Sequence, residues 1–246
     1  MREELKADNF EGNDPESSEA VAAPELVQGD SAETLSEDLA LSQLKDRNLS
    51  PEAVEQIVRH AAGTKSRKIH FAVAAHPHAP RRIALRFIRE LYTFELMQFA
   101  LMPGIAADLK RLADELLVSR LPSITLGERI SLARRSSGLV AGALLLDKEA
   151  RVWQTALENG RLTESGVVKA VLRPAATPAF VEAVSYDTKW SVRPEIRIAL
   201  LRSAHTPLSR AVEFAQRIPA PQLRDILHAS RLPERIKNQL RKNLEK

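Results

Sequence analysis

From Leu49 onwards, apolar residues return at intervals of three and four. Val54, Ile57 and Val58 share one helical face, as do Ile83, Phe87, Ile88 and Leu91, and Leu109, Leu112, Leu116 and Leu117. The same spacing recurs in Val152, Trp153, Ala156 and Leu157, in Val167, Val168, Val171 and Leu172, and in Ile196, Ala199 and Leu200. No stretch alternates apolar and polar residues with period two between Asn-Gly or Asp-Gly turns, so the pattern predicts an all-α fold of about twelve short helices.

The segment boundaries carry capping chemistry. Ser50-Pro51, Thr177-Pro178 and Thr206-Pro207 place a hydroxyl where it accepts from an orphan helix N–H, and a proline where the missing donor costs nothing. Ala79-Pro80, Arg193-Pro194 and Leu232-Pro233 keep the proline without the hydroxyl, and Thr163 offers the hydroxyl without the proline. Gly63, Gly104 and Gly160 suit helix ends, where a left-handed residue closes the last turn.

So many short helices prompt a search for a repeat. Val73–Leu117 laid on Leu200–Leu244, an offset of 127, matches His78 with His205, Pro80 with Pro207, Ala84 with Ala211 and Phe87 with Phe214. Leu96 meets Leu223, Lys110 meets Lys237 and Leu112 meets Gln239, the last a mismatch. A partial copy starts at Thr177-Pro178, 29 residues before Pro207.

Ahead of these segments the chain reads differently. Up to about Leu35 it is rich in Glu, Asp, Ser and Ala without sustained period, which buries too little to offset ordering entropy. Residues 1–48 are therefore expected to be a disordered acidic segment and 49–246 the helical repeat domain. Leu35, Leu39, Leu41 and Leu44, following Ser36, leave room for one short docked helix near the boundary. Charge divides in the same place. Residues 1–47 carry 13 acidic and 4 basic residues, which leaves a net +13 in the remainder behind a whole-chain +4. A basic body attracts polyanions, and the acidic segment could answer it within the molecule; on that second reading, deleting residues 1–47 tightens polyanion binding.

With no cysteine among 246 residues, disulfides, thiolate metal sites and cysteine nucleophiles are excluded. The charged start, Met1-Arg2-Glu3-Glu4-Leu5-Lys6, is followed by no apolar run of signal-peptide length, and the longest apolar stretch, Leu139 to Leu146, is far short of a membrane span. A soluble cytoplasmic protein, not inserted in a membrane, is expected.

Arg134-Arg135-Ser136-Ser137, Leu144-Leu145-Leu146-Asp147, Arg151-Val152-Trp153, Ala156-Leu157-Glu158-Asn159 and Ile198-Ala199-Leu200-Leu201-Arg202 resemble units of bacterial α-solenoids of the HEAT-like and leucine-rich-repeat-variant type. The likeness covers about Leu49–Leu244. It implies an irregular α-solenoid of short helix pairs, and it supplies no catalytic residues. Repeat lengths that vary from 29 upward depart from a regular array.

Candidate chemistry is sparse. Arg82, Arg86 and Arg89 form one stripe, with Arg81 beside it, and suit either a phosphate or carboxylate clamp or a solvated helix face. Arg134, Arg135, Arg193 and Arg197 read the same way. Tyr186 and Trp190 bracket Asp187-Thr188-Lys189, as anchors of an interface or as core. His70, His76 and His78 lack metal-ligand spacing, and His78 and His205, each just before a proline-initiated helix, suggest a structural role at a turn. There is no nucleophile elbow, phosphate loop or dinucleotide fingerprint, so neither catalysis nor a cofactor nor a metal is expected. The partner expected is a protein with acidic segments. The alternative is duplex nucleic acid held by its phosphates, since aromatics, at 4%, are too few for base stacking.

Overall fold

The computed structural model describes residues 35–61 and 66–244. The chain divides into two units, residues 1–33 and 34–246, and every helix of the described residues belongs to the second. Of the disordered segment expected over 1–48, residues 1–34 lie outside the described residues, as does the helix stop expected at Gly63. Fifteen helices and no strand occur among the described residues. They are α1 (Glu37–Gln43), α2 (Pro51–His60), α3 (Arg67–Ala75), α4 (Arg81–Glu90), α5 (Thr93–Leu101), α6 (Ala107–Arg120), α7 (Leu126–Arg135) and α8 (Gly138–Leu144). After them come α9 (Ala150–Glu158), α10 (Glu164–Val171), α11 (Pro178–Tyr186), α12 (Pro194–Arg202), α13 (Leu208–Ala215), α14 (Ala220–His228) and α15 (Glu234–Leu244).

Helices of seven to fourteen residues are marginal alone, so packing must hold them. Their apolar faces join one connected core running from Ala40 to Leu240. Each fully buried Leu, Ile or Phe in it, such as Leu96, Ile196 or Phe214, contributes about 1.5–3 kcal/mol. The short helix foreseen after Ser36 is α1, capped by the Ser36 hydroxyl and burying Ala40 against α3. Helical packing thus begins ahead of residue 49.

Packing is sequential. α4, α6, α8, α10, α12 and α14 touch one another in that order, while α1 rests on α3, α3 on α5, α7 on α9 and α13 on α15. The first residues of the even-numbered helices, Pro51, Arg81, Ala107, Gly138, Glu164, Pro194 and Ala220, follow at 26 to 31 residues. This spacing is that of one helix pair. The offset of 127 lays α3, α4, α5 and α6 on α12, α13, α14 and α15 with their first residues in register, and the two sets share their contacts: α3 with α4 as α12 with α13, α3 with α5 as α12 with α14, α4 with α6 as α13 with α15, and α5 with α6 as α14 with α15.

The same spacing governs how helix ends are satisfied. The last carbonyls of a helix lack intrahelical donors, and a polar group about one helix pair later supplies them. Arg120 donates to the Leu91 carbonyl, Asn159 to Ala133, Arg210 to Ser185 and Ser230 to Leu201; in the loop before α2, the Leu49 carbonyl oxygen lies 3.0 Å from His78 Nδ1. His76 Nδ1 accepts from the His78 N–H, so its Nε2 carries the proton donated to the Asp46 carbonyl at 2.9 Å.

Capping follows the sequence where it is local. Ser50 and Thr177 accept from Ala53 and Phe180 N–H with proline at the first helical position. Thr206 does otherwise: its hydroxyl is buried and donates to the Leu200 carbonyl at 2.6 Å, leaving Pro207 as the cap. Gly104 has the positive φ, 82°, of a left-handed turn. Gly160 does not, because the Asn159 side chain closes the end of α9 by accepting from the Arg161 N–H.

Candidate binding surface and cleft

Three of the four arginines of α4 face carboxylates. Arg81 pairs with Asp108, Arg82 with Glu55 on α2, and Arg86 with Glu90 one turn on. These contacts hold the Asp108 and Glu55 carboxyls below their ordinary range, chiefly through hydrogen bonds from Arg81 and from Arg59 and Arg82 respectively. The stripe is therefore largely answered inside the chain, and among the described residues Arg89 alone of the four forms no ion pair.

Arg193 pairs with Glu164 at 3.0 Å and lies over the Trp190 ring. Arg197 is half-buried and donates from Nε to the Ser191 carbonyl at 2.8 Å. Burial, and then the nearby Arg217 cation, lower its pKa. Both arginines brace α12 rather than reach outward. Trp190 must be corrected as an interface anchor: it is 1% exposed, with Nε1 donating to the Leu157 carbonyl at 3.1 Å. The turn causes this, because Asp187 Oδ1 accepts from the Lys189 and Trp190 N–H groups and tucks the indole inward. Tyr186 stays 54% exposed under Arg210, its hydroxyl 3.3 Å from that of Ser209.

Arg134 and Arg135, in the last turn of α7, are exposed and engage no carboxylate. Close to them lies a feature absent from the sequence reading. α8 is built from Gly138-Leu139-Val140-Ala141-Gly142-Ala143-Leu144, and its glycines permit close approaches. A Cβ on Gly138 would sit 2.3 Å from the Arg161 carbonyl oxygen, and one on Gly142 would sit 3.7 Å from Gly166 Cα in α10. Small residues on both helices leave a cleft of about 650 Å³, within the ordinary range for small-molecule sites.

Asp114 of α6 lines this cleft, 8% exposed, with Oδ1 lacking any hydrogen-bond partner. Burial raises its pKa above the ordinary carboxylate value, opposed by a weaker hydrogen bond from Ser137. Arg161, Lys169 and Arg173 line the same cleft, exposed and without ion pairs. Arg161 Nη1 also donates to the Arg135 carbonyl at 3.4 Å, so the cleft adjoins the end of α7. The available sequence signal was Gly138-x-x-x-Gly142, two of only nine glycines, one helical turn apart.

No helix among the described residues is long and apolar enough to cross a membrane. No protein-family model, no curated protein and no solved structure matches the chain.

Proposed function

We propose that this protein is a non-enzymatic helical-repeat adaptor of the HEAT-like kind, which binds a protein partner carrying acidic segments through the basic surface around α7, α8 and α10. One observation carries the reading. The arginines of α4 and α12 are mostly spoken for by internal carboxylates and carbonyls, whereas Arg134, Arg135, Arg161, Lys169 and Arg173 pair with no carboxylate among the described residues. Uncompensated guanidinium groups on a fixed helical surface suit carboxylates of a partner and speed its encounter. The contacts of each helix with the one a pair later support the reading, because helices stacked in that way would offer an extended surface whose side chains vary without disturbing the core.

Affinity capture of the tagged full-length protein from its native lysate, with and without nuclease, tests the proposal. A stoichiometric protein partner that survives nuclease, and is lost on Arg134→Glu plus Arg135→Glu, is the expected result. Recovery of nucleic acid, with co-captured proteins lost on nuclease treatment, would overturn it in favour of phosphate-backbone binding.

A further inference from the structure

The cleft between α6, α8 and α10 has two chemically distinct parts. Its lining includes a buried carboxyl, Asp114, whose Oδ1 has no hydrogen-bond partner. An oxygen left so costs on the order of 1–3 kcal/mol, a cost that a ligand donor would remove. Three cations, Arg161, Lys169 and Arg173, line the same cleft, and Asp114 is the sole acid among the lining residues. The lining also includes apolar and small side chains, Leu139, Ala143 and Leu146 among them, which suit an apolar portion of a ligand. Gly138, Gly142 and Gly166 also line it, where α8 and the start of α10 approach closely.

We propose that this cleft binds a small phosphorylated molecule bearing an N–H or O–H donor, the phosphate meeting Arg161, Lys169 and Arg173 and the donor satisfying Asp114. A dianionic phosphate suits three cations better than a single carboxylate does, and the two guanidinium groups match its oxygens with paired N–H bonds. Burial raises the pKa of Asp114 because its ionised form has too few donors, and a donor from a ligand would oppose that shift. The inference does not depend on a protein partner: it concerns a cavity, and its test uses the full chain and small molecules only.

Adenosine 5′-monophosphate is the probe, because it combines a phosphate, a flat apolar ring and several donors. Inorganic phosphate and adenosine each carry one half of the recognition. Titration calorimetry of the full-length protein at low salt should show the nucleotide binding roughly tenfold or more tightly than either half. Replacing Arg161, Lys169 and Arg173 together by Gln should weaken nucleotide and phosphate by roughly tenfold while leaving adenosine unchanged. Asp114→Asn should weaken nucleotide and adenosine and spare phosphate. All three cations are exposed, so the triple variant should fold as the wild type does, which its helical circular dichroism checks. The proposal is overturned if neither nucleotide nor phosphate binds up to about 10 mM, if the nucleotide binds no better than phosphate, or if its advantage survives Asp114→Asn.

Discussion

Asn159 joins three segments, and its removal is the sharpest test of how this fold is held. Its Nδ2 donates to the Ala133 and Ser136 carbonyls at 2.8 and 3.2 Å, and its Oδ1 accepts from the Arg161 N–H at 2.7 Å. The side chain is 3% exposed, so water does not readily replace it. Asn159→Ala leaves three backbone groups without their partner; at about 1–3 kcal/mol for each unpaired buried group, and with partial relaxation, the loss is about 3 kcal/mol. For a chain of this size that is a fall of roughly 6–12 °C in Tm. Asn159→Asp provides the control, since it keeps shape and volume but points an oxygen at two carbonyl oxygens. If hydrogen bonding holds the site, the aspartate variant is at least as unstable as the alanine variant. Urea unfolding followed by helical circular dichroism measures both. An aspartate variant within about 0.5 kcal/mol of wild type would refute the reasoning, because filling space would then suffice.

Other substitutions probe the neighbouring contacts. Gly138→Ala sets a Cβ 2.3 Å from a backbone oxygen that no side-chain rotation can clear, so it should cost about 1–3 kcal/mol, seen as a lower urea midpoint. Asp147→Ala strands Arg129, whose Nε lies 2.8 Å from Asp147 Oδ2 with both side chains largely covered, and should cost about 3–5 kcal/mol. Glu115→Ala, which breaks an exposed pair with Arg111, should change stability by about 0.5 kcal/mol or less in the same assay. Asp114 binds its proton more tightly folded than unfolded, so its ionisation weakens the fold as pH rises from 3.8 through its raised folded pKa. Asp114→Asn should therefore be more stable than wild type at neutral pH and lose that advantage below about pH 3.8 in a pH series of melts.

What was legible in the chain was what depends on neighbours in sequence. Ser50-Pro51 caps α2 because the hydroxyl, the proline and the orphan N–H lie within four residues. Helical spacing likewise identified the faces of α4, α9 and α12, whose apolar positions Phe87, Val152 and Ile196 are buried. Thr206 looked the same as Ser50, yet its hydroxyl meets a carbonyl six residues back, a choice set by how α12 ends. Trp190 seemed to edge a loop, and only the fold brings the Leu157 carbonyl, 33 residues earlier, to its indole N–H. Asp114 sits between Ala113 and Glu115 in a helix that reads as solvated there; its burial comes from the approach of α8, whose sequence lies more than twenty residues on. The arginines of α4 and α7 were indistinguishable by type; the Glu90 partner of Arg86 is one turn away, but those of Arg81 and Arg82 lie in the first turn of α6 and on α2, beyond the reach of local pattern.

The central claim is that the uncompensated cations around α7, α8 and α10, and not those of α4, form the partner surface. Parallel nuclease-treated captures from the native lysate, with Arg134→Glu plus Arg135→Glu in one bait and Arg82→Glu plus Arg86→Glu in another, test it directly. The account predicts that the first bait loses the partner recovered by wild type while the second retains it. Retention by the first and loss by the second would contradict it.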